Sequence, residues 1–228
     1  MAIVKVNWSG GKDSTTAVLL HVERGDKVKV VCYIPMLTKQ IPLITQEHYL
    51  FIKSMGLRFQ DMGCDVTFIS GQTYEEHVLY RSTRGKFKGR MFGFPCFKKG
   101  ACGFKRDSKV KALKNVDVGY FDYEDIGIAY DEIERQGQLN DKKRSILCEY
   151  HLTEKDCFIY CDSHFALSPH YKTNSRDGCA LCPNAKESER QKYFSEYPEA
   201  VKVVKRLQDI VKRERPEQRP LRGYNWFL

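Results

Sequence analysis

The stretch Ile3-Val4-Lys5-Val6-Asn7-Trp8-Ser9-Gly10-Gly11-Lys12-Asp13-Ser14, residues 3–14, decides the fold of this 228-residue chain. Its first half is a short apolar segment that is typical of a buried β-strand. Its second half places two glycines and a lysine before a helix that is predicted over Ser14–Glu23. Such a strand, turn and helix bind phosphate, because glycines let backbone N–H groups approach the oxygens and the helix N-terminus adds positive charge.

The chain on either side of this stretch continues the alternation of strands and helices. Strands are predicted over Val28–Tyr33 and Cys64–Ser70, with a helix over Ile44–Met62 between them. This order indicates a parallel α/β sheet with right-handed crossovers. A mobile loop is expected at 81–103. The elements predicted after it are a helix over Phe104–Lys114, a strand over Asp125–Tyr130, a helix capped by Thr153 and Asp156, and helices over Lys186–Tyr197 and Glu199–Arg213.

Positive charge is concentrated in one part of the chain. The net charge is +9, but the stretch from Arg81 to Lys114 holds twelve Lys or Arg and one acidic residue, Asp107, which leaves −2 for the remainder. This favours binding of a nucleotide or nucleic acid, although a solvated loop has the same composition. The candidate polyanion contacts are Lys98, Lys99, Lys105, Arg106 and Lys109. The phenylalanines in this stretch either stack on bases or belong to the core, namely Phe87, Phe92, Phe94, Phe97 and Phe104.

The residues of the glycine turn suggest how it would act. Ser9 and Ser14 carry hydroxyls that can donate to phosphate, and Lys12 can neutralise its charge. Asp13 has the wrong sign for a phosphate contact, so it is expected to hold Mg²⁺ or to fix the loop. The spacing differs from the Walker A pattern and from Gly-x-Gly-x-x-Gly. A plain Gly-Gly turn before a helix is the alternative.

Nine cysteines are many for a chain without a recognisable secretion signal. The odd number excludes complete intramolecular pairing, and metal binding or redox chemistry is favoured over disulfides. Cys96 and Cys102 form one short-spaced pair, and Cys179 and Cys182 form a Cys-x-x-Cys pair. Together they are candidates for a tetrahedral thiolate site holding zinc or an iron–sulfur cluster. Buried thiols without a ligand, or a redox-active Cys-x-x-Cys, are the alternatives.

The loop Ser9–Ser14 resembles the PP-loop of the ATP pyrophosphatase superfamily. Further segments resemble the phosphoadenosine phosphosulfate (PAPS) reductase-like family, and the similarity extends from Val4 to Glu199. These segments are Ala101–Lys105 with Lys109 and Val110, Gly127–Ala129 with Asp131, Glu132 and Arg135, Arg176–Pro183, and Glu196–Glu199. The resemblance implies an adenine nucleotide alpha hydrolase fold, which is a HUP-like parallel sheet with flanking helices, plus a small helical, cysteine-bearing C-terminal part.

The resemblance also implies an activity. ATP would bind with Mg²⁺ at Ser9–Ser14, with Lys12, Asp13 and Ser14 as catalytic residues, and a substrate would be adenylated with release of pyrophosphate. A sulfur or nitrogen nucleophile would then displace AMP. In this interpretation a nucleic acid is a candidate acceptor, a sulfur donor protein is a candidate partner, and the cysteines would hold a [4Fe-4S] cluster or Zn²⁺.

Two other functions stay open. The first is a PAPS or adenylylsulfate reductase that forms sulfite. The tail Leu221–Leu228 argues against it because it lacks the catalytic cysteine of the assimilatory reductases. The adjacent Cys-Cys pair of many members is also absent, so Cys96 would have to substitute as a ligand. The second is a nucleotide-binding or sensing module without turnover.

The organisation of the chain can also be predicted. We expect residues 1–150 to form the nucleotide-binding domain, with its basic loop at 81–103, and residues 151–228 to form the helical part that carries Cys179 and Cys182. No run of about 18 apolar residues occurs, so we expect no membrane contact and a cytoplasmic location. A homo-oligomer is compatible with the sequence.

Overall fold

The structure is a computed structural model that describes residues 1–95, 97–98, 101–173, 178–182 and 184–217. Its strands are β1 (Ile3–Trp8), β2 (Lys27–Tyr33), β3 (Asp65–Ile69), β4 (Phe97–Lys98), β5 (Ala101–Cys102), β6 (Tyr123–Asp125) and β7 (Lys143–Arg144). Five of them form a sheet in the order β3-β2-β1-β6-β7, and every pair in it is parallel. The strands β4 and β5 form a separate antiparallel pair. The predicted α/β class with a parallel sheet is therefore confirmed.

Helices accompany the strands along the chain. They are α1 (Lys12–Glu23), α2 (Gln46–Asp61), α3 (Tyr74–Leu79), α4 (Gly103–Lys105), α5 (Lys111–Asn115), α6 (Ile133–Gln136), α7 (Ile146–Glu149), α8 (Glu154–Ser163), α9 (Glu187–Glu196) and α10 (Pro198–Glu214). A π-helical turn, Arg106–Val110, joins α4 to α5, so the helix predicted there is present with one widened turn. Thr153 and Asp156 form the predicted capping box of α8.

The chain divides into two compact units, each of which draws on several stretches of sequence. Unit 1 comprises the described residues of Met1–Ile34, Glu47–Ile69 and Val116–Asp177. Unit 2 comprises those of Pro35–Gln46, Ser70–Asn115 and Gly178–Leu228. These units are defined by contacts and not by independent folding, so the domains 1–150 and 151–228 stay a prediction.

Unit 1 is built around the central strand β1. Val4 and Val6 are fully buried, and Val4 lies beside Val28 of β2 and Tyr123 of β6. The Trp8 indole N–H donates to Thr15 Oγ1 of α1 at 2.8 Å, which ties the end of the strand to the start of the helix. The strand therefore delivers the following loop from a rigid, buried position.

One predicted strand is wrong in its position. Asp125–Tyr130 was expected to be extended, but β6 ends at Asp125 and the apolar residues beyond it form a buried loop. The Ile128 N–H donates to the Ile126 carbonyl at 2.6 Å, which turns the chain sharply. Gly127 then lies directly against the start of α1. Apolar periodicity in a short run does not distinguish such a buried turn from a strand.

Unit 2 has its own hydrophobic core. Tyr193 of α9 and Val204 and Leu207 of α10 are buried in it, together with Tyr74 of α3 and Phe104 of α4. The Tyr193 hydroxyl donates to the Pro42 carbonyl at 2.8 Å. This core joins stretches that are more than a hundred residues apart in sequence.

Candidate functional site

The glycine loop lies at the point in the sheet where the strand order reverses. From β1 the chain moves to β2 and β3 on one side, and β6 and β7 lie on the other. Ser9–Gly11 follows the carboxyl end of β1 directly and leads into α1. Ligands of open parallel sheets bind outside the carboxyl ends of the strands at such a reversal. The predicted phosphate loop therefore occupies the position in unit 1 that is best suited to a ligand.

The helix that follows the loop begins without a side-chain cap. Gly11 is the N-cap residue of α1 and has an extended backbone. As a glycine it has no side chain that could accept a hydrogen bond from the first turn. The hydroxyls of Ser14 and Thr15 donate back to the Gly11 carbonyl at 3.1 and 2.9 Å. The first-turn N–H groups of α1 must therefore find acceptors elsewhere, as they do when a phosphate binds at a helix N-terminus.

Gly10 is required by the geometry of the loop for two reasons. Its φ of +85° is rare for residues with a side chain. A Cβ at this position would also lie 2.5 Å from His48 Cε1 and 3.1 Å from Ile52 Cγ1, both on α2. The loop therefore lies in close contact with α2.

Gly127, in the loop after β6, contacts the start of α1. A Cβ at Gly127 would lie 2.7 Å from the Ser14 backbone nitrogen and 3.0 Å from the Asp13 carbonyl carbon. Distances under 3.0 Å do not occur for real Cβ atoms, so only glycine permits this approach. The loops after β1 and β6 are therefore packed backbone against backbone.

Charged side chains gather at the first turn of α1. The Lys12 ammonium lies 2.7 Å from Asp13 Oδ1 and 3.6 Å from Glu154 Oε1 of α8. Burial lowers the pKa of Lys12, but the hydrogen bond and charge of Asp13 outweigh this and raise the pKa above its ordinary value. Burial raises the pKa of Asp13, and the charges of Glu154 and Glu132 raise it further against the opposing effect of Lys12. Two carboxylates, Asp13 and Glu154, therefore face the single ammonium of Lys12. Carboxylate oxygens are ligands that suit Mg²⁺.

One N–H of the loop is held by a side chain that is distant in sequence. The Lys12 backbone N–H donates to the Tyr171 hydroxyl at 3.1 Å. Tyr171 lies in the 3-10 turn Pro169–Thr173, and its ring packs edge-on against Phe158 of α8. The phenolic oxygen therefore lies where an oxygen of an incoming phosphate would accept the same hydrogen.

Two buried histidines, His48 of α2 and His170 of this turn, share the hydroxyl of Ser168. His48 Nδ1 is 3.0 Å from Ser168 Oγ, and Ser168 Oγ is 2.7 Å from His170 Nδ1. The single hydroxyl hydrogen of Ser168 can point to only one of the two rings, so the other ring must donate its own Nδ1–H. This shared hydroxyl connects the residue beneath Gly10 to the turn that holds Tyr171.

Four thiols of unit 1 belong to its core. Cys157 and Cys161 of α8 are fully buried, and Cys32 and Cys64 are buried as well. The Cys161 thiol donates to the Lys12 carbonyl at 3.3 Å. Burial raises the pKa of Cys161 to about 11 and that of Cys157 to about 12, so both stay protonated near neutral pH.

The predicted thiolate site lies in unit 2 and is partly described. Cys102 and Cys182 both lie close enough to Cys179 to raise its pKa electrostatically. Burial is the main cause of that shift, which brings the pKa of Cys179 to about 12, and Lys109 opposes it. Cys96 lies outside the described residues. Among the residues that are described, no group of three or more His, Cys, Asp or Glu is arranged to hold a metal ion. The four-cysteine site stays a prediction.

The predicted polyanion contacts occupy different surroundings. Lys105 is exposed, whereas Lys109 is partly buried near Cys179. Arg106 is exposed and donates two hydrogen bonds to Asp107, at 3.0 and 2.8 Å. The charge of the Arg106 guanidinium is therefore paired with the Asp107 carboxylate. Lys99 lies outside the described residues, as does the side chain of Lys98.

Sequence reasoning missed the residues that reach the loop from distant parts of the chain. Glu154, Tyr171 and His48 contact or support residues 10–13 of the loop, but none of them stands in a motif that points there. The capping pattern at Thr153 predicted where α8 begins. It did not predict that Glu154, the first residue of α8, lies beside Lys12. Gly127 was found only through the family resemblance.

Comparison with known proteins adds no assignment. A scan of the chain against protein-family models gives no match, and a search of curated proteins gives none either. None of the helices in the described part of the chain combines the length and the apolar character needed to cross a membrane.

Proposed function

We propose that this chain is a PP-loop ATP pyrophosphatase of the PAPS reductase-like family that adenylates a substrate and releases pyrophosphate. The observation that carries the proposal is the start of α1. The helix follows the carboxyl end of a central parallel strand at the reversal of strand order, and its glycine N-cap has no side chain that accepts from the first-turn N–H groups. These features suit a bound phosphate chain. The HUP-like assignment of the sheet belongs to the same proposal.

The residues of the loop divide into roles. The raised pKa of Lys12 keeps its ammonium charged, so it can interact with the phosphate oxygens. Asp13 is the residue that would hold Mg²⁺, and the bound ion would neutralise charge on the leaving pyrophosphate. The close approach of Gly127 fixes the first turn of α1, which keeps the N–H groups in position during the reaction.

The position of Tyr171 adds a step to nucleotide binding. Its hydroxyl must give up the Lys12 N–H before a phosphate oxygen can accept that hydrogen. Tyr171→Phe removes the competing acceptor and keeps the ring against Phe158. We expect this variant to bind ATP about as tightly as the wild type or up to about tenfold more tightly, since one net hydrogen bond contributes about 1 kcal/mol. Weaker binding by Tyr171→Phe would show instead that the hydroxyl contacts the nucleotide.

The reaction can be tested through its products. With ATP, Mg²⁺ and a single-stranded oligonucleotide as trial acceptor, the proposal predicts pyrophosphate and an AMP product, not ADP and phosphate. Ser9→Ala and Asp13→Ala should slow this release, whereas Ser163→Ala, a hydroxyl on the exposed end of α8, should not. Release by the two loop variants at the wild-type rate would show that the assigned loop is wrong.

A sensing module without turnover is a second candidate. The observation that favours it is that Lys12 already has protein partners. Its ammonium lies beside Asp13 and Glu154, and its backbone N–H donates to the Tyr171 hydroxyl. Such a loop can exchange these contacts for a nucleotide without any chemistry. Tight ATP binding that is lost in the loop variants, with no pyrophosphate released under any condition tried, would favour this function. Binding of PAPS with formation of sulfite in the presence of a thiol would favour the reductase.

A further inference from the structure

A basic hairpin, residues 80–92, projects the positive charge of unit 2 into solvent. Arg81 pairs with Met91 in an antiparallel bridge, and the Phe92 N–H donates to the Tyr80 carbonyl at 2.8 Å. The tip contains a 3-10 turn that starts at Gly85. The hairpin is therefore an ordered element inside the stretch that the sequence showed only as a loop.

The charges of the hairpin differ between its stem and its tip. In the stem, Arg81 pairs with Glu214 of α10, and Arg90 pairs with Glu217 just beyond that helix. The hydrogen bond from Arg90 is the main reason that the pKa of Glu217 is lowered to about 2, so this carboxylate is ionised at neutral pH. The tip, by contrast, carries three exposed cations that have no carboxylate partner among the described residues: Arg84, Lys86 and Lys88.

An aromatic side chain lies between a cation of the tip and a cation of the stem. Phe87 is 47% exposed, and its ring centroid is 5.1 Å from Lys86 Nζ and 5.2 Å from Arg90 Cζ. The other phenylalanines of the basic stretch whose side chains are described are more buried, with Phe104 in the core and Phe92 packed against His77. An exposed ring beside cations suits a ligand that has both flat apolar faces and negative charge.

We propose that the basic hairpin binds a single-stranded nucleic acid, with phosphates at Arg84, Lys86 and Lys88 and a base stacked on Phe87. Single strands expose the faces of their bases, whereas a duplex buries them in its own stack. A lipid surface offers charge but no planar ring for Phe87, and in an acidic protein rings do not accompany each negative charge, whereas every nucleotide of a single strand carries both a phosphate and a base. The inference deepens the proposed function, because it names the chemical class of the acceptor.

The test uses the full chain and fluorescence anisotropy of a labelled mixed-sequence single strand of about 20 nucleotides, without ATP. Arg84→Gln/Lys86→Gln/Lys88→Gln should weaken binding by roughly tenfold or more and reduce the slope of log K against log salt by about two. Phe87→Ala should weaken binding by about tenfold, and Phe87→Trp should restore it. The controls are variants that remove the same charge or an exposed ring from unit 1: Lys142→Gln/Lys143→Gln/Lys155→Gln and Phe165→Ala.

Each result decides one way. The inference is overturned if the wild type binds no single strand in low salt, if the tip and control triple variants bind equally well, or if Phe87→Ala has no effect. Two comparisons together would also overturn it. In the first, polyglutamate or anionic vesicles displace the labelled strand equally well from the wild type and from Phe87→Ala. In the second, the wild type binds a duplex as tightly as a single strand. ATP binding by the hairpin variants should match the wild type. A wild-type protein that binds ATP but no oligonucleotide would refute this inference alone. A wild-type protein that binds the oligonucleotide but no ATP would refute the proposed function alone.

Discussion

Substitution of Gly127 by alanine tests whether the start of α1 is held by the loop after β6. The added Cβ would lie 2.7 Å from the Ser14 backbone nitrogen, while ordinary contact begins at 3.4 Å. The two backbones must therefore separate by about 0.7 Å. Neither side of the contact is a flexible side chain, so the strain cannot be relieved by a change of rotamer.

The cost of this strain can be set on two scales. Overpacking of this kind destabilises a protein by about 1–3 kcal/mol, which corresponds to a fall in melting temperature of about 2–12 °C for a chain of this length. The larger expected effect is on the ligand, because the displaced atoms include a first-turn N–H of α1. A displacement approaching 1 Å at such a site should weaken ATP binding by about tenfold or more.

Gly137→Ala is the matched control. A Cβ at Gly137 meets no heavy atom within 4 Å, and its φ of −58° suits any residue. This variant should keep its ATP affinity and should melt at the wild-type temperature or slightly higher. Thermal unfolding and equilibrium dialysis with ATP and Mg²⁺ measure both quantities. If Gly127→Ala behaves like Gly137→Ala in both, the packing argument is refuted. If only its melting temperature falls, the loop is not where ATP binds.

Two further predictions concern titratable groups of unit 1. Burial by itself raises the pKa of Asp26, but hydrogen bonds from the Ala2 N–H and from the side chains of His21 and Arg24 lower it to about 2. Asp26→Asn should therefore reduce the free energy of unfolding by about 2 kcal/mol near pH 7. That difference should vanish as the pH falls from about 4 to about 2 in urea titrations, and a difference that persists at about pH 2 would contradict the assignment. Cys157 and Cys161 should resist alkylation near neutral pH until the chain unfolds, because burial raises the pKa of both thiols. Rapid labelling of either residue in the native protein, read by peptide mass spectrometry, would show that α8 opens.

The parts of the fold that sequence predicted correctly depend on local patterns. Residues 3–14 carry a strand, a turn and a helix start in an unbroken run, and the structure has all three in that place. The Thr153 capping box is equally local. The helix starts and their caps involve hydrogen bonds within about four residues, and the apolar run of the strand is itself a local pattern, so all of them can be predicted without knowledge of the tertiary fold.

The parts that sequence did not predict depend on contacts across the chain. Tyr171 lies 159 residues from the Lys12 N–H that it holds. The strand β6 ends at Asp125 although apolar residues continue beyond it, and two residues later Gly127 lies against α1. The two units also interleave along the chain, because the core of unit 2 draws on segments before and after most of unit 1. No composition shift marks such boundaries.

If the chain has the proposed function, the surroundings of the glycine loop favour a nucleotide with its cation over a bare anion. A phosphate oxygen can take the Lys12 N–H from Tyr171, which exchanges one hydrogen bond for a stronger charge-assisted one. The same anion would come close to Asp13 and Glu154, whose negative charge Lys12 does not fully neutralise. A divalent cation carried by the nucleotide removes that repulsion and leaves the Lys12 ammonium free to move from Asp13 to the phosphates. The acidic residues around the loop are therefore consistent with a site that selects a metal-bound polyphosphate over free phosphate.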